Sequence, residues 1–173
     1  DRYIWVAVAA RSDDLIKIYA ADFDEASQFR LDNILFDLNY HWSNYVRGVA
    51  NELQRLGYDI YGANISIKGN VPLEAGLSSS AALETAIIRA FKEIYELDIE
   101  PIEMAYIGKA AENDFVGVQS GIMDQFISGL GHYGEALFID CRSNEYERIP
   151  LDPNYKIVIV NTMKSRELAN SAY

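Results

Sequence analysis

The sequence is short of cysteine, histidine, proline and positive charge. A single cysteine, Cys141, stands among 173 residues, so no disulfide can close within the chain. That fits a reducing compartment, the cytoplasm being the expected one. The two histidines, His41 and His132, have no Cys or Asp at metal-ligand spacing, which argues against a zinc-type centre. Cys141, in FIDCRS, reads as a small buried hydrophobe, and His132, in a Gly-His-Tyr-Gly turn, as exposed. Lysine and arginine number 15 against 26 acids, a net charge of −11. Nucleic acids and anionic membranes call for the opposite balance, so neither is an expected partner. No apolar run approaches the ~20 residues of a membrane-spanning helix. The chain opens at Asp1-Arg2, without Met, and moves straight into YIWVAVAAR, so no secretory leader is expected there. It stops at NSAY inside a helical pattern, and both abrupt ends read as those of an excerpt from a longer protein. No repeat, low-complexity tract or Pro-rich linker marks a domain boundary.

Half of the residues are apolar, enough for a sizeable core. Residues 3–10 and 15–19 read as strands joined by the turn Ser12-Asp13-Asp14, which predicts a hairpin. Residues 22–40 are acidic and weakly periodic, with Phe29 and Leu31 on a possible third strand. Residues 42–56 read as a helix with Tyr45, Val46, Val49, Leu53 and Leu56 on one face and Gly57 as its stop. A strand over 63–68 leads into GNVPLEAGLSSSAALE (Gly69 to Glu84). Helices are predicted over 79–95, 101–115 and 124–130, strands over 136–139, 145–149 and 157–160, and a last helix from Glu167. Mixed order with hairpins rather than strict strand–helix alternation predicts an α+β fold.

The segment from Gly69 to Glu84 carries the strongest chemical signal. A helix N-terminus leaves N–H groups without partners and is the positive end of the helix dipole. Gly76 and the serines Ser78, Ser79 and Ser80 would let an anion approach those groups, as a phosphate cradle requires. An ordinary Ser N-cap after a turn fits the same spacing. The closing Gly-Lys-Ser/Thr of a Walker A loop is missing. About 40 residues on, GIMDQF contributes a lone acid, Asp124, and a phosphate cradle plus a separate acid suits phosphoryl transfer. By spacing alone Asp124 would equally cap a short helix, and Glu112 would sit on a solvated helix face.

PLEAGLSSSAALE resembles the second signature of the small-molecule kinase superfamily that includes galactokinase, homoserine kinase, mevalonate kinase and phosphomevalonate kinase. GIMDQF with ALFIDCRS, together with WSNYVRG, AENDFVGV and RELANSAY, resembles the galactokinases, and these motifs span nearly the whole chain. The resemblance implies the fold of the second domain of ribosomal protein S5 and transfer of the ATP γ-phosphoryl group to the anomeric hydroxyl of galactose. It implies Mg²⁺ as cofactor. Residues 1–173 would then be most of the N-terminal ATP-binding domain, with an upstream sugar-binding signature and a C-terminal domain outside the excerpt. On its own the excerpt would be inactive and prone to self-association through surface meant for the missing parts.

Residue by residue, the resemblance places Gly76, Leu77, Ser78, Ser79, Ser80 and Ala81 around the phosphates. It makes Ser80 and Glu112 the magnesium ligands, with Asp114 a competitor, in keeping with the hard oxygen donors that Mg²⁺ takes. Trp42, Tyr45 and Leu73 match the adenine pocket, core packing being an equal reading for Tyr45. Asp124 becomes the catalytic acid beside the sugar hydroxyl, with Gly121 and Tyr173 also against the sugar and Arg166 a weaker candidate. Two departures stand out: Glu74 where most relatives have Gly, and Ser120 where a Cys is common. A kinase for N-acetylgalactosamine or arabinose, and a non-catalytic sensor of sugar and ATP, are the alternatives.

Overall fold

A computed structural model of the chain describes residues 2–72 and 75–160. Strands β1 (Ile4–Ala10), β2 (Leu15–Ala20), β3 (Glu25–Arg30) and β4 (Ala63–Gly69) form one sheet in the order β1-β4-β2-β3. Helices α1 (Ser43–Arg55), α2 (Ser79–Tyr95), α3 (Pro101–Ala110) and α4 (Met123–Leu130) follow, α3 running on into a π-helical turn, Ala111–Val116. A hairpin of β5 (Glu135–Asp140) and β6 (Glu145–Pro150) completes the described elements. The α+β expectation holds.

The strands fall where their alternation puts them. Ile16, Ile18 and Ala20 of β2 and Ala63, Ile65 and Ile67 of β4 point to one face, and the residues between them point to the other. On that inner face lie Val46, Val49, Ala50 and Leu53 of α1 and Ile87, Ile88 and Phe91 of α2, each set at helical spacing. A smaller cluster, Ala105, Ile122, Phe126 and Leu130, joins α3 to α4.

Strand pairing differs from the expected hairpin. β1 and β2 are not partners: β4 lies between them, antiparallel to β1 and parallel to β2. The turn between β1 and β2 closes on the start of β4 instead. Arg11 N–H donates to the Gly62 carbonyl and Gly62 N–H to the Asp13 carbonyl, both at 2.7 Å. A Cβ at position 62 would stand 2.5 Å from that Asp13 oxygen, so only glycine fits. β2 pairs with β3, on which Phe29 lies; Leu31 falls just past its end, and both are buried.

Two further expectations fail. Residues 157–160 form no strand; they are largely exposed, and no neighbouring strand among the described residues offers them a ladder. Cys141 is exposed, because it stands in the turn between β5 and β6 rather than on a strand. His132 is exposed as expected.

Arg47 sets the start of α1. Its buried guanidinium pairs with Asp37 at 3.0 Å and donates to Ser27 Oγ and to the carbonyls of Gln28 and Leu35. It also lies 4.7 Å from the centre of the Phe29 ring. One side chain thus ties β3 and the segment after it to the helix that follows Trp42. Arg47→Met leaves Asp37 without its counter-ion, and breaking a buried pair from one side costs about 3–5 kcal/mol. The urea midpoint of the intact protein should fall accordingly with an unchanged denaturant slope; an unaltered midpoint would contradict this role.

Candidate active site

α2 begins without a cap. Ser78 precedes it at φ +58°, in the left-handed region, and among the described residues no side chain accepts from the first helical N–H groups. The N-cap serine that the spacing allowed is therefore not what the segment forms. Gly76, at φ +71°, is exposed, so the chain turns tightly through 76–78 and delivers the half-buried Ser79 and Ser80 at the open, positive end of a long helix.

A cavity of about 490 Å³ opens at this helix end. Trp42, Tyr45, Ser79, Ser80 and Leu83 line it, opposite Phe23 and Ile67 of the sheet side. The indole N–H of Trp42 donates to Glu25 Oε2 at 2.6 Å, which fixes the ring as a flat wall. A cavity with aromatic walls and hydroxyls at a helix N-terminus suits a ligand with an apolar, planar part and an anionic part. A larger hollow of about 780 Å³ lies on the other face of the sheet, lined by residues such as Lys17, Tyr19, Asn64 and Ser66, and contains none of the predicted site residues.

Behind the cavity sits a buried polar cluster. Glu112 is 2 % exposed, not on a solvated face, because the π-helical turn swings it inward. Its Oε2 accepts from Ser120 Oγ at 2.5 Å and from Gln125 Nε2 at 2.9 Å, while Oε1 has no partner among the described residues. Gln125 Nε2 also donates to Glu84 Oε2 at 3.2 Å. Glu84 and Gln125 are both fully buried. Burial first, and the Glu112 carboxylate second, push the Glu84 carboxyl up to about 9. The phenol of Tyr45, which lines the cavity, is pushed up to about 12 by burial and by the charges of Glu112 and Glu84.

Asp124 is half-buried in the first turn of α4. It is not the cap: the helix is preceded by Ile122 and has no side-chain cap. Gly121 is exposed just before it. Neither borders the cavity, and nor do Gly76, Leu77, Ser78, Ala81 and Glu112; Ala81 is buried beneath the first turn of α2. Asp114 is exposed on the π-helical turn, away from the buried cluster that holds Glu112. Leu73, Glu74, Arg166, Tyr173 and the helix predicted from Glu167 lie outside the described residues. Glu84 and Gln125 went unnoticed in the sequence although both stand inside the motifs. The available signal was spacing: Glu84 falls four residues after Ser80, on the same face of α2.

The donor set fits a hard divalent cation. Glu112 keeps one buried carboxylate oxygen unpartnered, and Ser80 offers a hydroxyl. Among the described residues no group of three or more His, Cys, Asp and Glu could enclose an ion, so water and phosphate oxygens would complete its shell. No helix among the described residues is long and apolar enough to cross a membrane.

The sequence and the fold are shared with known proteins. Residues 44–132 match the family described as the GHMP kinases N terminal domain, and the chain belongs to that family. It is 42 % identical to the galactokinase of Streptococcus mutans serotype c and 43 % identical to that of Streptococcus suis. Each match covers 96 % of this chain and 44 % of the relative, so the chain spans less than half the length of these curated relatives. The crystal structure of Lactococcus lactis galactokinase complexed with galactose superposes with a TM-score of 0.83 at 35 % identity, covering 87 % of this chain and 39 % of that one. Methanococcus jannaschii mevalonate kinase shares the fold, with a TM-score of 0.68 at 24 % identity over 83 % of this chain and 45 % of that one.

The Glu84 carboxyl has an ordinary value of 4.5 and a folded value of about 9, so the folded state binds its proton more tightly. Its contribution to stability is complete below the ordinary value and is lost as the pH rises toward the folded one. Glu84→Gln removes that loss. In metal-chelated buffer the urea midpoint of the variant should gain steadily on the parent's as the pH rises from 5 to 8; a constant difference between the two midpoints would count against a buried, neutral Glu84.

Proposed function

We propose that this chain forms most of the nucleotide-binding domain of a galactokinase, which transfers the γ-phosphoryl group of ATP to the anomeric oxygen of galactose and releases ADP. The observation that carries the reading is the cavity at the uncapped start of α2, where Trp42 and Tyr45 stand beside Ser79 and Ser80. The identity to galactokinases supports it, as does the likeness to a galactokinase complexed with galactose. The regions those relatives have beyond this stretch would supply the rest of the sugar site, so residues 1–173 alone would be inactive. A cytoplasmic location accords with a single free cysteine and an intracellular substrate pool.

In this reading the purine lies against Trp42 and Tyr45, and the N–H groups of Ser79, Ser80 and Ala81 hold the phosphates. Ser80 and Glu112 would hold Mg²⁺, which when bound would neutralise charge on the phosphate oxygens. Asp124 lies beside the sugar and accepts the proton of the anomeric hydroxyl as its oxygen attacks phosphorus. Its half-buried place at the start of α4, with no hydrogen bond holding the carboxylate among the described residues, leaves it free to do so. The remaining work is positioning, done by elements that the core keeps rigid.

Turnover by the intact protein tests this. ADP release with ATP and Mg²⁺ should depend on galactose, and Asp124→Asn should lower it by about 10²–10⁴-fold, the usual weight of general-base assistance. Turnover with another sugar but not galactose would change the substrate and keep the kinase. The absence of turnover with any sugar, despite ATP binding, would overturn the catalytic reading in favour of a sensor.

A further inference from the structure

Glu112 is held in an asymmetric way. Both donors that reach its carboxylate, Ser120 Oγ and Gln125 Nε2, converge on Oε2. Oε1 is buried and left without a partner among the described residues. Two donors shared evenly would have satisfied the group; two donors on one oxygen immobilise it and keep the other available. The grip is itself anchored. Gln125 spends its second N–H on Glu84 Oε2, and Glu84 and Gln125 are fully buried, so the amide cannot swing to solvent. The anchor sits one helical turn after Ser80, on the same helix.

We infer that Ser120 and Gln125 are positioning residues for Glu112, with Glu84 as the anchor that orients the Gln125 amide, so that Oε1 is presented to the metal ion. The inference rests on the proposed role of Glu112 as a magnesium ligand and extends it to three side chains that reach Glu112 directly or through one another. Partners of this kind orient a ligand, and their loss typically weakens metal binding 10–100-fold. The arrangement also links the two halves of the proposed metal site. Glu84 lies on α2 with Ser80, while Gln125 lies on α4 beside Asp124. The amide bridge therefore sets α2 and α4 in register with Glu112 between them. Ser120 acquires a role that its position in the loop before Gly121 did not suggest: its hydroxyl serves the carboxylate.

The test is Mn²⁺ binding to the intact protein in the presence of a non-hydrolysable ATP analogue, followed by electron paramagnetic resonance. Gln125→Met removes the amide at nearly constant shape and should raise the Mn²⁺ dissociation constant about 10–100-fold. Ser120→Ala, at a half-buried loop position, should raise it severalfold without disturbing the fold. Glu84→Gln, which still offers an oxygen to the Gln125 N–H, should bind nearly as the parent does, whereas Glu84→Leu should resemble Gln125→Met. Parent-like binding by Gln125→Met and Ser120→Ala, alongside loss of binding by Glu112→Gln, would overturn the inference and leave Glu112 as the ligand. Parent-like binding by Glu112→Gln would overturn both.

Discussion

The site depends on a helix whose first turn is left unsatisfied. α2 runs for 17 residues, yet no side chain among the described residues caps its start and the residue before it is left-handed. Such a beginning would be unfavourable for an isolated helix, where a lost cap costs about 1 kcal/mol. Here the cost is offset further along, where Ile87, Ile88 and Phe91 are sealed against the sheet. The packing that holds the middle of α2 allows its N-terminus to stay open, and an open N-terminus attracts anions. Trp42 and Tyr45 border the same end because Arg47 and Asp37 fix where α1 starts.

Charge is arranged around that end with an economy that follows from burial. Of the two carboxyls in the cluster, Glu84 has its acidity suppressed by its surroundings, while Glu112 receives two donors. Two buried carboxylates bridged by one amide would repel each other strongly if both were ionised. A neutral Glu84 relieves that repulsion, and the two donors on one oxygen of Glu112 leave its other oxygen for a cation to meet.

Much of this could be read from residue order. The extents of α1 and α2 follow from helical periodicity, with Gly57 just past the end of α1 and Pro101 opening α3, and the motif residues Ser79, Ser80, Trp42 and Tyr45 do meet at one cavity. Strand partners could not be read. Alternation tells which face of β2 is buried but not that β4 will insert beside it, a contact made across some 45 residues of sequence. The apolar run 157–160 carries strand propensity without a neighbour among the described residues to realise it. The burial of Glu84, Glu112 and Gln125 was hidden for a different reason. Acidic and amide residues on helices are usually solvated, and only the convergence of α2, α4 and a π-helical turn buries these three together.

The most direct measurement is of the backbone amides of Ser79, Ser80 and Ala81 by NMR of the intact, isotope-labelled protein during titration with Mg²⁺ and a non-hydrolysable ATP analogue. If the open end of α2 is the phosphate cradle, these three signals shift strongly and saturably, together with the Trp42 indole. If the Trp42 indole shifts while the three amides stay where they were, or if none of them moves as nucleotide binds elsewhere, the uncapped helix is not the cradle and the account fails at its centre.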